Sequence, residues 1–396
     1  MKYVLFLVGI SLLIGIEIAR VYFIMPFPGS QEENTIELAY FLDQYIFLFR
    51  IAGIILIAYP AYFFLTKSRS TIKWTAIMLL VFWVMTAYAF NFKFLADKMF
   101  YQPENKILLT ADKNKVSDKK LVLGIIINGQ AKAYPIEIIG YHHQVRDTVG
   151  GEQVMVTYCT VCRSGRVFKP EVDGQLENFR LVGMDHFNAM FEDSRTKSWW
   201  RQASGEAIAG PLKGKKLAEI PSEQMTLAAW LKRYPESFIL QPDVKFTDQY
   251  TDLVGYDDGT IEGSLEGRDS LSWQKKSWVV GVSLGLFAKA YDWNELKEKR
   301  IINDDVAGTP LLVVLENDTA SFHVWNRILN SDTLNFIVSD SLKTFVDTKT
   351  KSVWNWQGTC IEGQFKNSSL TPIQSYQEFW HSWKTFHPNT TQYLKE

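Results

Sequence analysis

VLGIIINGQAKAY (Val122–Tyr134) and, further along, VVGVSLGLFAKAY (Val279–Tyr291) are two readings of one pattern. In the first, an apolar run meets the turn pair Asn128–Gly129 and returns as a second extended run, the signature of a tight hairpin. At the same offset RDTVGGEQVMV (Arg146–Val156) answers to NDDVAGTPLLV (Asn303–Val313). Later, FEDSRTKSWW, GEAIAG and TLAAWLKRYPES answer to FVDTKTKSVW, GTCIEG and YQEFWHSWKTFHPNT. The chain therefore reads as an internal duplication. Two copies suit a pseudo-symmetric pair better than a solenoid, which needs at least three.

Working outward, residues 101–240 form repeat one, opening with a polar linker to residue 120. Residues 241–272 are an acidic connecting loop, where Asp and Glu outnumber Lys and Arg eight to two. Residues 273–396 form repeat two. Each repeat reads as mostly β. VMVTY alternates as a strand, and GRVFKPEV and LENFRLV flank Asp173–Gly174 as a second hairpin. Thr226–Tyr234, stopped by Pro235, and Tyr376–Phe386, stopped at Pro388, read as short amphipathic helices.

Residues 1–100 differ in kind. Apolar runs at Tyr3–Met25, Tyr45–Leu65 and Trp74–Phe92 each approach the ~20 residues that cross a bilayer as a helix. A cleaved signal peptide fits the first run poorly, since its basic start is only Lys2 and no small-residue cleavage site follows. The expected fold class is thus α+β, mainly antiparallel β, with two pseudo-symmetric repeats behind three N-terminal transmembrane helices. The loop between spans two and three holds Lys67, Arg69 and Lys73, whereas the loop between spans one and two holds Glu32, Glu33 and Glu37. The positive-inside rule puts the N-terminus in the cytoplasm and everything after Phe92 outside the inner (cytoplasmic) membrane. Glu17 and Arg20 share a helical face, and Arg50 sits in the second span, so an ion pair or triad joining these spans is expected. The membrane is the expected partner; the net charge of −1 argues against nucleic acid.

What only one copy carries points to chemistry. Cys159 and Cys162 face Glu316 and Thr319 in the second copy, and His142 and His143 face Lys299 and Arg300. Met184 and His186 face Val338 and Asp340. The cysteines end one strand and are followed at once by Ser164–Gly165 and another, so they sit on a β-turn. A thioredoxin-type pair sits at a helix N-terminus, which lowers its thiol pKa; a turn holding two sulfurs is a knuckle, which suits a metal. In an extended segment His142 and His143 point to opposite faces, leaving one toward the cysteines. Met184 and His186 share a face if their stretch is extended. Cys159, Cys162, His142, His143, His186 and Met184 are accordingly the candidate ligands of copper or zinc. Thiolate with thioether leans to copper(I), and thiolate with imidazole fits either metal. A covalent c-type haem is not expected, because Arg163 stands where that motif requires His.

Two other readings stand beside the metal-binding module: an envelope thiol–disulfide oxidoreductase, and a structural or interaction protein in which the pair is a disulfide staple. Cys360 reads as a small buried apolar residue. Ser198–Trp199–Trp200 suggests a carbohydrate platform, but Ser352–Val353–Trp354 recurs in the second copy, so at least part of it is core. No Ser-His-Asp order, phosphate loop or HExxH is present, and the sequence does not decide whether the protein is an enzyme.

AYPIEIIGYHHQVRDTVGG, VTYCTVCRSGRVF, NAMFED, SWWRQASGEAIAGPLKG and the final tryptophan helix resemble the bacterial domain of unknown function 3179, strongly over about residues 120–240 and weakly thereafter. Members of that family often read Tyr-Cys-Pro-x-Cys, where this chain has Thr160. They also carry one His followed by Glu, which matches the family His to His142 and makes His143 a departure. The resemblance implies an envelope location and a role for Cys159, Cys162 and His142; it supplies no activity.

Overall fold

A computed structural model describes residues 1–339 and 344–394; Asp340, the counterpart of His186, lies outside them. By contacts the chain divides into two units, Met1–Tyr101 with Gln175–Lys216, and Gln102–Gly174 with Leu217–Glu396. The protein is mixed α and β with mostly antiparallel sheets behind three N-terminal helices.

In the first unit the apolar runs become α1 (Lys2–Tyr22), α2 (Ile36–Lys67) and α3 (Ser70–Phe92), each long and apolar enough to cross a membrane. The second helix starts at Ile36, ahead of its apolar run, because helix propagation adds one hydrogen bond per residue regardless of side-chain polarity. Two glycines let α1 and α2 touch: a Cβ on Gly9 would lie 2.6 Å from Ile57 Cγ2, and one on Gly53 2.5 Å from Leu13 Cγ. The charged residues of the spans form a network. Arg50 donates to both Glu17 oxygens, at 2.6 and 2.8 Å. Arg20 pairs instead with Asp43 at 3.3 Å. Asn91 on α3 joins the two sets, accepting from Arg20 and Arg50 and donating to Glu17. The same unit holds a four-stranded sheet ordered Ala207–Ala209, Trp199–Arg201, Asn188–Asp193, Phe179–Asp185. Gly183 lets this sheet meet the chain beyond α1: its Cβ would lie 2.1 Å from the Ile24 carbonyl oxygen, which accepts from Met184 N at 2.7 Å. Trp199 and Trp200 are buried and donate to Glu192 and Asp193, so they are core and not a platform.

In the second unit the predicted hairpin pairs Leu121–Ile127 with Gln130–Pro135. It is flanked by Glu223–Thr226, antiparallel, and Phe238–Leu240, parallel. Trp278–Leu284 and Phe287–Asp292 form a corresponding hairpin, flanked by Ser375–Phe379, antiparallel, and Thr391–Gln392, parallel. Each hairpin leads through a seven-residue helix, Ile136–His142 or Trp293–Lys299, into a three-strand meander. The helix expected from Thr226 starts at Leu227, with Thr226 as its N-cap. The one expected from Tyr376 starts at Trp380, because Ser375–Phe379 is taken up as a strand.

Each hairpin has a glycine under a tryptophan of the short closing helix. A Cβ on Gly124 would lie 2.1 Å from Trp230, and one on Gly281 2.3 Å from Trp383. Gly124→Ala and Gly281→Ala should each cost about 1–3 kcal/mol by overpacking. Gly15→Ala, where a Cβ meets nothing within 4 Å, should be neutral or stabilising. Thermal unfolding of the three variants in detergent checks this.

Candidate thiol site

Glu152–Cys159 pairs antiparallel with Ser164–Phe168, setting Cys159 opposite Ser164. The intervening residues close as a turn in which Arg163 N donates to the Thr160 carbonyl at 3.2 Å and Arg163 takes a left-handed φ of 53°. The cysteine pair is therefore on a strand-to-strand turn, and the element that follows it in the chain is a strand and not a helix. Both cysteines have 0% exposure.

The carbonyls of this turn are held by residues about a hundred or more positions further along the chain. Tyr256 Oη donates to the Thr160 carbonyl at 2.8 Å. Lys276 Nζ donates to the Val161 carbonyl at 2.7 Å, and His381 Nε2 lies 3.1 Å from the same oxygen. A carbonyl only accepts, so His381 Nε2 carries a proton there. Phe379 N donates to the Cys162 carbonyl at 3.0 Å.

Two buried arginines anchor the flanks. Arg163 donates to Gln377 Oε1 at 2.8 Å and to the carbonyls of Tyr256 and Asp257. Arg166 is bonded to Glu378, with both side chains 1% exposed, and its guanidinium lies 3.4 Å from the centre of the Tyr376 ring.

His142 and His143 do not lie in an extended segment. Ile136–His142 is helical, and His143 caps it with φ 59° and ψ −25°. The Tyr158 N–H donates to the His143 carbonyl at 3.0 Å, which brings the helix end beside the cysteine strand. His142 Nε2 is 2.7 Å from Tyr250 Oη, and its ring meets Phe246 edge to face. His143 Nδ1 faces the Tyr141 carbonyl at 3.1 Å. Burial holds His143 down to about 4, so it is neutral at pH 7.

Met184 and His186 belong to the other unit. The strand of Met184 ends at Asp185, and His186 (φ 50°) and Phe187 (φ 66°) form the two-residue turn of a hairpin. They are not in one extended stretch, and the alternation argument for a shared face does not apply. His186 Nδ1 is 2.7 Å from Asp185 Oδ1. Cys360 is buried, 3.2 Å from the Glu362 carbonyl.

Among the described residues, no group of three or more His, Cys, Asp or Glu side chains is arranged to hold a metal ion. The nearby groups that sequence reasoning missed are a cation and a neutral imidazole. Burial pushes Lys276 down from its ordinary pKa, and the sulfurs of Cys162 and then Cys159 oppose that push. Lys276 is thus within electrostatic reach of both thiols. His381 is pushed down to about 3 by burial and then by Lys276. One sequence signal for His381 existed. When Trp383 is matched to Trp230, His381 faces Ala228, so the imidazole has no counterpart at that position.

Site and fold together define a membrane-anchored α+β protein with a buried two-cysteine turn. The chain belongs to the family described as "Protein of unknown function (DUF3179)", which matches residues 102–390. No curated protein and no solved structure matches it.

His381 supplies a measurable pH dependence. Its folded-state pKa of about 3 is below the ordinary 6.5, so between these values the unfolded chain binds a proton that the folded chain does not. Its contribution to stability is whole above pH 6.5 and is lost as the pH falls toward 3. His381→Gln should therefore flatten the stability profile between pH 6.5 and 5, by at most about 1.4 kcal/mol per pH unit. Thermal unfolding of both proteins across that interval checks the slope.

Proposed function

We propose that the protein is a metal-binding module whose Cys159 and Cys162 hold copper(I), on the outer side of the cytoplasmic membrane. The Lys276 ammonium carries this reading. It is bonded to the carbonyl between the two cysteines and is in electrostatic reach of both sulfurs. Two thiolates with one copper(I) bear a net charge of −1, which one ammonium neutralises in a site closed to water. Copper(I) is soft and is satisfied by two sulfurs, whereas a structural zinc ion takes four ligands. The envelope orientation is supported by the basic residues Lys67, Arg69 and Lys73 between α2 and α3.

The same ammonium favours a second reading, thiol–disulfide exchange, because a neighbouring cation stabilises the attacking thiolate. The full chain, solubilised in detergent without oxygen and titrated with copper(I) against a chromophoric chelator, separates the two. One copper(I) should be retained per chain, none by Cys159→Ser or Cys162→Ser, and about tenfold less tightly by Lys276→Met. Reduced wild-type protein that yields all its copper to the chelator, while reducing a disulfide substrate, supports exchange and ends the copper reading. For orientation, a periplasm-specific reporter fused after Glu396 should be active. A C-terminal tag protected from protease in spheroplasts and cut only after lysis would reverse the topology.

A further inference from the structure

A second cavity in the second unit, of about 320 Å³, lies between the strands of Gly124, Glu223 and His323. Its size is at the lower end of small-molecule sites. Ile126, Pro221 and Pro372 line it and are themselves exposed, so it opens to solvent. The charged and titratable groups of its lining are Glu223 and His323; it contains no Lys or Arg.

His323 is 6% exposed, and its ring stacks on Trp325 with centres 4.9 Å apart. Its Nε2 lies 2.8 Å from Glu316 Oε1, and Gln357 Nε2 donates to the same carboxylate at 3.3 Å. A carboxylate accepts, so Nε2 carries the proton and Nδ1 of the neutral ring presents a lone pair. Nδ1 is turned the other way, toward Glu223, whose Oε2 is 3.9 Å off and beyond hydrogen-bond reach. Glu223 lines the cavity and Glu316 does not, so Nδ1 is the ring nitrogen on the cavity side. Among the described residues nothing donates to Nδ1, and the atom is not sealed from solvent.

The same station of the first meander is closed. Glu316 and His323 stand where the sequence match sets Cys159 and Arg166. The registers agree, with Val314 opposite His323 and Thr157 opposite Arg166. Arg166 is saturated by Glu378 and the Gly165 carbonyl, whereas His323 keeps one nitrogen open.

We infer that this cavity binds a primary amine, either a free alkylamine or the side chain of a lysine. Two acceptors 3.9 Å apart admit one nitrogen at about 2.9 Å from each. A hydroxyl has one hydrogen and satisfies one of them; an ammonium has three and satisfies both. The donors of the lining glutamines are already used, Gln224 on Gln377 and Gln374 on the Ser222 carbonyl. Charge favours the same ligand. Glu223 is paired with Arg233, at 2.5 Å. Among the described residues no Lys or Arg is within ion-pair distance of the Glu316 carboxylate, and Arg300 bonds only its backbone oxygen. One carboxylate behind the imidazole is thus left for a cation to balance. Ile126, Pro221 and Pro372 offer apolar surface to the alkyl chain.

The test uses the full chain in detergent, with n-butylamine, Nα-acetyl-lysine amide, 1-butanol and tetramethylammonium titrated at matched ionic strength. Thermal unfolding is the readout, since a ligand of the folded state raises the midpoint saturably. Both amines should do so, and neither the alcohol nor the quaternary cation, which has charge without N–H. Tighter binding of the lysine derivative identifies a lysine side chain as the source, and tighter binding of butylamine a free amine. His323→Phe keeps an aromatic ring on Trp325 and removes the acceptor; Glu223→Gln keeps the shape and removes the charge. Each should weaken amine binding about tenfold or more, the scale of one charge-assisted hydrogen bond, with copper(I) retention unchanged. No saturable response to butylamine, an equal response to 1-butanol or tetramethylammonium, or amine binding that survives both substitutions overturns the inference.

Discussion

The buried ion pair between Arg166 and Glu378 is the interaction on which the thiol site depends. Two charges 1% exposed are stable only where the remaining polar atoms are also engaged. Here Arg166 also bonds the Gly165 carbonyl and lies on the Tyr376 ring, while Glu378 accepts from Ser382 Oγ at 2.8 Å. The pair fixes Ser375–Phe379 beside the strand that leaves the cysteine turn. From that register follow the Phe379 bond to the Cys162 carbonyl, the placing of His381 on Val161, and the Gln377 bond to Arg163.

Local chemistry made much of this readable from residues alone. Asn128–Gly129 specifies a hairpin wherever apolar runs flank it. The Thr226 cap and the stop at Pro235 follow from backbone hydrogen-bond needs. The turn at Cys159–Cys162 followed because a strand resumes at once. Other features were hidden for physical reasons. The turn at His186–Phe187 contains neither Gly nor Asn, so nothing marked its left-handed residues. The helix through His142 is only seven residues long, too short for a periodic pattern to register. Lys276, Tyr256 and His381 reach the turn across about a hundred or more positions, and no local rule links such residues. His381 is marked in the sequence only by the match of Trp383 to Trp230, which sets it opposite Ala228.

The anchor shows how charge is tolerated among apolar helices. Glu17 and Asp43 balance Arg20 and Arg50, and the neutral Asn91 connects both pairs through its two ends. Polar groups held this way satisfy one another, so they join three helices that apolar packing alone would leave free to slide. The sheet from Phe179 to Ala209 belongs to this same unit, bonded at Met184 to the Ile24 carbonyl. The sequence between the two stretches passes into the other unit and back, so continuity along the chain and membership of a unit are different things here.

The clamp on the cysteine turn also imposes an order of manufacture. His381 is 220 positions beyond Val161, and Glu378 is 212 beyond Arg166. A ribosome therefore completes both thiols long before it makes the residues that cover them. During that interval the carbonyls of the turn lack the partners that Phe379 and His381 give them in the finished chain. Any nascent or truncated chain that stops short of Ser375 keeps them in that state.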